Sequence, residues 1–267
     1  MLGQDVARAA ELANHQVVSL DRAALDVTSS VAVARAVERE QPDAVINCAA
    51  FTAVDGAEHE PERAMRVNAE GARNVAVAAA RADARVVYPS TDYVFDGTKD
   101  EPYVESDEPA PISRYGDSKL AGEVETAAVN PRHYIVRSSW LFGTAGPNFV
   151  ETMLALGTRE AQVVVVRDQV GCPTYTGHLA AGIVRLLDSA AFGLHHMAAG
   201  GHCSWYDFAA AIFERAGIDC RVLSTTTEEL GRPAPRPAWS VLATQWQDAI
   251  HLPHWHDGLD DYLAERA

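Results

Sequence analysis

The chain has 267 residues, 48% of them hydrophobic and 22% charged, which is enough apolar material for one large domain or for a domain with an added lobe. Its formal net charge of −15 at pH 7 excludes nonspecific binding to a nucleic-acid backbone over most of the surface, although a local basic pocket could hold a small phosphate. The sequence has no signal-peptide core and no apolar run of membrane-spanning length, so we expect a cytoplasmic protein with no membrane partner.

Short apolar segments alternate with amphipathic stretches along the first half of the chain. Strands are predicted over residues 16–20, 44–48, 85–88 and 134–137, and helices over 5–13, 30–40, 61–82 and 113–128. Parallel strands joined by helices need helices on both faces of the sheet. The pattern therefore predicts an α/β fold with a doubly wound parallel sheet of the Rossmann type.

After Gly143 the alternation becomes looser. Helices are predicted over 149–156, 178–187 and 206–216, and strands over 163–166 and 221–223. The proline-rich stretch 232–237 cannot run as a helix, because proline lacks the amide donor and clashes with the preceding turn. We therefore divide the chain into residues 1–143 and residues 144–267, the second forming mainly a smaller lobe with some elements that return to the sheet.

The strongest chemical signal is the pair Tyr115 and Lys119, which lie one turn apart on one face of a predicted helix. A nearby ammonium favours the phenolate, so this spacing predicts a lowered pKa for Tyr115 and a proton exchange with a carbonyl or alcohol oxygen. The same spacing also occurs on solvated helix faces. Here, however, a predicted strand leads directly to Ser90, Thr91 and Asp92, and ligands bind at the carboxyl ends of parallel strands.

Eight segments follow one another in the order typical of a known family. They are NCAAFTAVDGAE at 47–58, VNAEGARNVA at 67–76, STDYVFDG at 90–97, YGDSKLAGE at 115–123, RSSWLFG at 137–143, DQVGCPT at 168–174, SWYDFA at 204–209 and RPAWSVL at 236–242. With these segments the chain resembles the dTDP-4-dehydrorhamnose reductases, which are short-chain dehydrogenases of the extended type. The resemblance covers nearly the whole sequence.

The resemblance implies a catalytic set of three side chains. Tyr115 is expected to donate a proton to the keto oxygen, Lys119 to lower the pKa of Tyr115 and hold the nicotinamide ribose, and Thr91 to hydrogen-bond the reacting oxygen. The reaction implied is reduction of dTDP-4-dehydro-6-deoxy-L-mannose to dTDP-L-rhamnose by NADPH or NADH. Residues 1–143 would then bind the dinucleotide, and residues 144–267 would bind most of the substrate.

The resemblance also implies substrate contacts, at Val54, Asp55, Asp92, Trp140 and Arg236. Arg236 is the candidate for the diphosphate, because a planar guanidinium matches phosphate oxygens. The alternatives are that Trp140 is a core side chain and Arg236 an ordinary surface cation.

One position departs from the family pattern. The family's usual RPxNS is RPAWS here, so Trp239 stands at the position of the asparagine. The contacts of this loop with the substrate, and the preference for one sugar, are therefore open.

Nine residues are expected at the dinucleotide. They are Gly3, Asp21, Asp26, Val27, Ala50, Phe51, Thr52, Tyr115 and Lys119. An acidic residue at position 21 suits the adenine ribose diol of NADH, whereas the neighbouring Arg22 suits the 2′-phosphate of NADPH, so the choice of cofactor is open.

The glycine-rich turn of this fold is represented by Gly3 alone, which matches the last of three glycines that let a pyrophosphate sit at a helix N-terminus. Two explanations are open: the gene product starts about ten residues earlier with the missing strand and turn, or the chain begins here and is inactive or folds poorly. A shifted register of the remaining strands is a further alternative.

Metal and disulfide sites are not predicted. The cysteines Cys48, Cys172, Cys203 and Cys220 are scattered and read as reduced thiols, and the ten histidines as surface or packing residues. Some members of the resembling family bind magnesium between subunits, so Mg²⁺ and a homodimer are retained as expectations from that analogy, without named ligands or an interface. Functional alternatives are another nucleotide-sugar reductase or epimerase, or a noncatalytic regulatory subunit on the same fold.

Overall fold

The structure, a computed structural model, describes residues 1–266. Its helices are α1 (Leu2–Leu12), α2 (Ser30–Glu40), α3 (Val54–His59), α4 (Pro61–Met65), α5 (Gly71–Arg81), α6 (Arg114–Val129), α7 (Phe149–Gly157), α8 (Thr176–Leu187), α9 (Trp205–Ala216), α10 (Thr227–Leu230) and α11 (Trp255–Arg266). Its strands are β1 (Ala44–Ile46), β2 (Arg85–Thr91), β3 (His133–Ser138), β4 (Leu141–Phe142), β5 (Gln162–Val166), β6 (Val170–Gly171), β7 (Thr174–Tyr175), β8 (Gly193–His196), β9 (Cys203–Ser204) and β10 (Arg221–Thr225). A π-helical turn, Arg66–Glu70, joins α4 to α5.

The main sheet has four parallel strands in the order β1-β2-β3-β8. In the register of its two central strands, Tyr88 lies opposite Ile135 and Thr91 opposite Ser138. The parallel sheet and the helices between its strands confirm the predicted α/β fold.

Both faces of this sheet are covered by helices, because successive side chains of a strand point to opposite faces. Val87 and Tyr134 pack with Leu179 of α8 and Val6 of α1. Val86, the neighbour of Val87, packs on the other side with residues of α2 and α5. The sheet is therefore doubly wound, as predicted.

The predicted strand over residues 16–20 is wrong. The segment is irregular, and Val18 and Leu20 are 51% and 39% exposed. Among residues 1–266 no strand pairs with the outer edge of β1, so the segment has no neighbouring backbone with which to form a ladder. The segment is mainly apolar, but an apolar pattern does not by itself supply a partner strand.

The second half of the chain contributes β8 to the main sheet and forms three two-stranded pairs, β5 with β10, β4 with β7 and β6 with β9. A separate core lies around Phe208 of α9, against α7 and α11. Helix α11 was not predicted, although Leu259 and Tyr262 are fully buried in that core. Residues 232–237 form the expected loop, and the division of the chain after Gly143 stays a prediction. None of the helices described in residues 1–266 has the length and apolar character needed to cross a membrane.

Candidate active site

The end of strand β2 and the start of helix α6 are held together by close backbone contact. The Ser113 hydroxyl caps α6 by accepting a hydrogen bond from the Gly116 N–H, at 3.2 Å. Gly116 also lies against the 3₁₀ turn Asp92–Val94 that follows β2, because a Cβ atom added to it would be 2.2 Å from the Tyr93 carbonyl oxygen. This contact brings Tyr115, the residue before Gly116, next to the strand end.

Tyr115 lies beside the Thr91 hydroxyl, as predicted, and the ring of Tyr93 packs edge-on against it with centroids 5.8 Å apart. Burial and the charge of Asp92 raise the pKa of Tyr115 to about 12, against the opposing effect of the Thr91 hydroxyl. The prediction that Lys119 lowers the pKa of Tyr115 is therefore wrong for this structure. The phenol is protonated at neutral pH, which is the state that a proton donor requires.

The surroundings of Lys119 account for its failure to lower the pKa of Tyr115. Its side chain is buried, its Nζ donates to the Pro89 carbonyl at 2.7 Å, and it lies 3.9 Å from the centroid of the Tyr88 ring. Burial lowers the pKa of Lys119 to about 7, against the opposing charges of Glu123 and Cys48. The ammonium is thus only partly charged at neutral pH, and two of its three N–H donors are left for a ligand.

Asp92 is almost completely buried, with 2% of its surface exposed. Its Oδ1 accepts a hydrogen bond from the Thr91 hydroxyl at 3.0 Å, and its Oδ2 accepts one from the Ser240 hydroxyl at 2.6 Å. Burial raises the pKa of Asp92 to about 7, although both hydrogen bonds act to lower it. The carboxylate is already enclosed by protein groups. The predicted contact of Asp92 with the sugar stays a prediction.

Asn68 fixes the segment expected to contact the dinucleotide. It lies in the π-helical turn, where its Oδ1 accepts from the Phe51 N–H at 2.8 Å and its Nδ2 donates to the Phe51 carbonyl at 3.0 Å and to the Ser118 hydroxyl at 2.9 Å. Ala50, Phe51 and Thr52 are thereby tied to helix α6. Sequence reasoning gave Asn68 no role, although a polar residue on the buried face of an otherwise apolar helix was a usable signal.

Gly3 lies near the start of helix α1, against the chain that follows β1. A Cβ atom added to it would be 3.2 Å from the Cβ of Cys48, so only a small residue permits this approach. Burial raises the pKa of Cys48 to about 11, and the charge of Lys119 opposes that effect. Gly3, Cys48 and Lys119 therefore lie on one side of the site.

The three residues expected at the adenosine make local contacts. The Asp21 carboxylate accepts from the N–H groups of residues 23 and 24, and the Asp26 carboxylate accepts from the N–H and hydroxyl of Thr28, which lowers the pKa of Asp26. Val27 packs so closely on Gly71 that a Cβ atom there would be 2.8 Å from its Cγ2. None of these contacts reaches Tyr115 or Lys119, and the cofactor roles of Asp21, Asp26 and Val27 remain predictions.

Arg236 and Asp55, far apart in sequence, form an ion pair. An Arg236 Nη donates to the Asp55 Oδ2 at 3.0 Å, and the Ala234 N–H donates to the Asp55 Oδ1 at 3.1 Å. Burial opposes ionisation of Asp55, but these hydrogen bonds hold its pKa below the usual value. The guanidinium also acts to lower the pKa of the nearby Tyr93 phenol, against the larger effect of burial, and the Arg236 side chain is only 9% exposed. Arg236 is therefore not an ordinary surface cation. Val54, the first residue of α3, immediately precedes Asp55 in the sequence.

Trp140 belongs to an aromatic layer. Its ring stacks on Trp205 with centroids 3.6 Å apart and planes 4° from parallel, and Gly171 leaves room for it, because a Cβ atom there would be 2.5 Å from the indole. Its φ of 48° is uncommon for a residue with a side chain. The residue is partly exposed, so its proposed role at the hexose remains a prediction.

Trp239, at the position that departs from the family pattern, turns away from Asp92. Its indole N–H donates to the Glu101 carbonyl at 3.0 Å, and its ring packs edge-on to His202, with centroids 5.2 Å apart. Together with Arg167 it lines a cavity of about 470 Å³. Ser240, the next residue, points instead at Asp92.

Behind Lys119 lies a buried ion pair that sequence reasoning also missed. Glu123, one turn along α6, accepts two hydrogen bonds from the Arg137 guanidinium at 2.9 and 2.7 Å, and a third from the Ser90 hydroxyl at 2.5 Å. Glu123 and Arg137 are 4% and 2% exposed, so this pair fixes α6 on strands β2 and β3.

The metal expectation gains no support from the described chain. Across residues 1–266 no three side chains from His, Cys, Asp and Glu are grouped so that they could hold an ion. The four cysteines are free thiols, with Cys172, Cys203 and Cys220 buried and Cys48 partly exposed.

Comparison with known proteins gives the same assignment along the whole chain. The family model described as RmlD substrate binding domain matches residues 1–267. The chain is 40% identical to the spore coat polysaccharide biosynthesis protein SpsK of Bacillus subtilis, over 100% of this chain and 94% of that protein. It is 42% identical to a dTDP-4-dehydrorhamnose reductase of Mycolicibacterium smegmatis, over 99% of this chain and 82% of that protein.

A solved structure agrees with the fold. The crystal structure of dTDP-4-dehydrorhamnose reductase from Bacillus anthracis in complex with NADP superimposes with a TM-score of 0.96 at 40% sequence identity, covering 99% of this chain and 95% of that one. The chain therefore belongs to the RmlD family, that of the dTDP-4-dehydrorhamnose reductases.

Proposed function

We propose that the protein reduces the C4 ketone of dTDP-4-dehydro-6-deoxy-L-mannose to give dTDP-L-rhamnose, with hydride from NADPH or NADH. The observation that carries this proposal is a protonated Tyr115 beside the Thr91 hydroxyl at the end of strand β2, one helical turn from Lys119. Relatives about 40% identical over nearly the whole chain bear the name of this reductase.

Each of the three side chains has one task in the proposed reaction. The Tyr115 phenol protonates the carbonyl oxygen as the nicotinamide delivers hydride to the carbon. Thr91 hydrogen-bonds the same oxygen and keeps it beside the phenol. Lys119 uses its two remaining N–H donors to hold the ribose of the cofactor, which places the nicotinamide at the end of β2.

The dinucleotide would lie along one side of the site. Gly3 allows close approach at the start of α1, and Asn68 holds Ala50, Phe51 and Thr52 in place, so the backbone there suits a cofactor. Asp21, Asp26 and Val27 are proposed for the adenosine end. NADP in the Bacillus anthracis relative supports NADPH, while Asp21 keeps NADH as the alternative; no metal is included.

The substrate would lie on the other side, against Val54, Asp55, Asp92, Trp140 and Arg236. Diphosphate binding requires Arg236 to share its guanidinium between Asp55 and the ligand, or to exchange one for the other. We assign this binding mainly to residues 144–267 and the 232–237 loop. No subunit interface is assigned.

The test is a reductase assay on the whole chain. If the gene product proves longer, the assay uses the protein with its additional N-terminal residues. Nicotinamide absorbance is followed with dTDP-4-dehydro-6-deoxy-L-mannose, using NADPH and NADH in parallel, and the product is identified by mass spectrometry and NMR. We expect cofactor oxidation that matches formation of dTDP-L-rhamnose. A folded, cofactor-bound protein that oxidises no nicotinamide would defeat the proposal and favour a noncatalytic role.

The same assay separates the related enzyme class. When the reaction is run in D₂O, an epimerase would exchange the hydrogens at C3 or C5 of the sugar, whereas a reductase adds one hydrogen at C4 from the cofactor. We expect no exchange at C3 or C5.

A further inference from the structure

The backbone of Trp140 lies in the left-handed region, with a φ of 48°. Among residues 1–266 the other side-chain-bearing residues in this region are polar, and each comes just after a helix: Asn14, Gln41 and Asp83. The conformation is common at helix ends, but it costs free energy for a bulky residue between two strands. Strain of this kind persists only where the surroundings impose it, and it collects at binding sites.

Hydrogen bonds fix the backbone at Trp140. The hydroxyl of the preceding residue, Ser139, donates to the Cys172 carbonyl at 2.7 Å, and the Thr174 N–H donates to the Trp140 carbonyl at 3.2 Å. Both bonds tie this segment to residues 172–174, where β6 passes into β7. The left-handed conformation of Trp140 is therefore held from a second part of the chain.

The ring of Trp140 is fixed by two neighbours. It stacks on the Trp205 ring, with centroids 3.6 Å apart and planes 4° from parallel. Gly171 lies against the side of the indole that carries the N–H, where an added Cβ atom would be 2.5 Å from Cε2 and 2.6 Å from Nε1. Aromatic pairs prefer offset or edge-on arrangements with centroids about 4.5–7 Å apart, so the groups around the two rings impose this close overlap.

Trp205 is itself held by the core of the second half of the chain. It is the first residue of α9, whose N-terminus is closed by a capping box. Phe149 of α7 packs on Trp205 with centroids 4.5 Å apart, and both rings contact Phe208, which is fully buried. Trp205 has little freedom to turn, and it passes this rigidity to the ring stacked on it.

The indole N–H of Trp140 is left for a ligand. The corresponding groups of Trp239 and Trp246 donate to backbone carbonyls. The Trp140 N–H donates to no group among residues 1–266, and it is accessible to solvent. Trp140 also follows by two residues Ser138, which lies opposite Thr91 in the register of β3 with β2. This free donor therefore belongs to the same edge of the sheet as the reacting groups.

We propose that Trp205 is a positioning residue for the sugar: its ring fixes the plane of the Trp140 indole, so that the Trp140 N–H meets a sugar hydroxyl. The inference rests on the proposed reductase function and deepens it. Because the indole is ordered before the substrate arrives, binding does not have to order it, which favours affinity. Trp205 thus acts on substrate affinity, whereas proton and hydride transfer depend on Tyr115 and Lys119.

The test compares Trp205→Leu with the wild type in the reductase assay. Leucine keeps an apolar side chain against α7 but removes the stacked ring. We expect the KM for dTDP-4-dehydro-6-deoxy-L-mannose to rise about 3- to 10-fold, as for the loss of one aromatic pair, while kcat and cofactor affinity stay within about twofold. Trp205→Phe places a ring in the stack again and should return KM to within about twofold of the wild type.

Circular dichroism reports the stack directly. Two stacked indoles couple their electronic transitions, so the wild type should show a far-ultraviolet pair of bands of opposite sign that Trp205→Leu lacks. Gly171→Ala, which crowds the Trp140 ring from another element, should weaken the same bands and raise KM in the same way. Trp246→Leu is the matched control, because Trp246 is 49% exposed and lies outside the stack; it should keep both the bands and KM.

The outcomes separate this inference from the proposed function. A Trp205→Leu protein with an unchanged KM, or with a lowered kcat alone, overturns the positioning role while the reductase stands. Failure of Trp205→Phe to restore KM overturns it as well. If Trp205→Leu does not fold, Gly171→Ala decides, since loss of the bands without a change in KM contradicts the inference. If the wild type oxidises no nicotinamide, it is the proposed function that fails.

Discussion

Replacing Asp92 by asparagine should change how the stability of the protein depends on pH. Burial raises the pKa of Asp92 from 3.8 to about 7 on folding, so the folded state binds its proton more tightly than the unfolded state. The resulting stabilisation is fully present below pH 3.8 and is lost as the pH rises through 7.

The size of this effect follows from the pKa change. A difference of about three pH units corresponds to about 4 kcal/mol in total, of which about 2–3 kcal/mol is lost between pH 5 and pH 8. Asparagine does not titrate, so Asp92→Asn lacks this contribution at every pH.

The assay is equilibrium unfolding in urea at pH 5, 6, 7 and 8 for the wild type and Asp92→Asn. We expect the free energy of unfolding of the wild type to fall relative to that of the variant by about 2–3 kcal/mol from pH 5 to pH 8. Asp96→Asn serves as the control, because the lowered pKa of Asp96 places its titration below pH 5, so the difference between wild type and this variant should stay constant from pH 5 to pH 8. A difference between wild type and Asp92→Asn that stays constant with pH would refute the reasoning.

Three other changes have defined results. Gly122→Ala places a Cβ atom 2.1 Å from the Asn68 carbonyl oxygen. The free energy of unfolding in urea should therefore fall by about 3 kcal/mol, despite the gain of about 1 kcal/mol in helix propensity. A stabilised variant would contradict this packing. Arg137→Met leaves Glu123 buried without its partner and should lower the free energy of unfolding by about 3–5 kcal/mol. Adding Glu123→Leu should restore part of this loss in the double variant. Effects of the two substitutions that simply add would speak against a coupled pair. The lowered pKa of Lys119, about 7, means that binding of the anionic cofactor at pH 8 should take up nearly one proton at this side chain. Calorimetry in two buffers with different ionisation enthalpies measures the uptake, which should be absent in Lys119→Met. Equal proton uptake by both proteins would rule this out.

Local patterns predicted the parts of this structure that depend on short stretches of chain. The strand before Thr91 and the helix carrying Tyr115 and Lys119 were predicted within a few residues of their bounds, because periodicity and spacing are local properties. The strand over 16–20 failed because a ladder needs a partner strand, which no local pattern reports.

The details that set the chemistry depend on long-range contacts. The Ser240–Asp92 hydrogen bond joins residues 148 positions apart, and the Arg236–Asp55 pair joins residues 181 apart. The direction of the Tyr115 pKa was mispredicted for the same reason, since burial outweighs the spacing of Lys119 on the helix. Helix periodicity places side chains on a face but does not show what surrounds them.

The most direct measurement of the central claim is the single-turnover rate of nicotinamide oxidation in Tyr115→Phe, with Tyr206→Phe as the matched control on helix α9. Loss of the proton donor should slow Tyr115→Phe by about 10²–10⁴-fold while its cofactor affinity stays within about twofold of the wild type, and Tyr206→Phe should keep its rate. A Tyr115→Phe protein that turns over at nearly the wild-type rate would show that the proton comes from elsewhere.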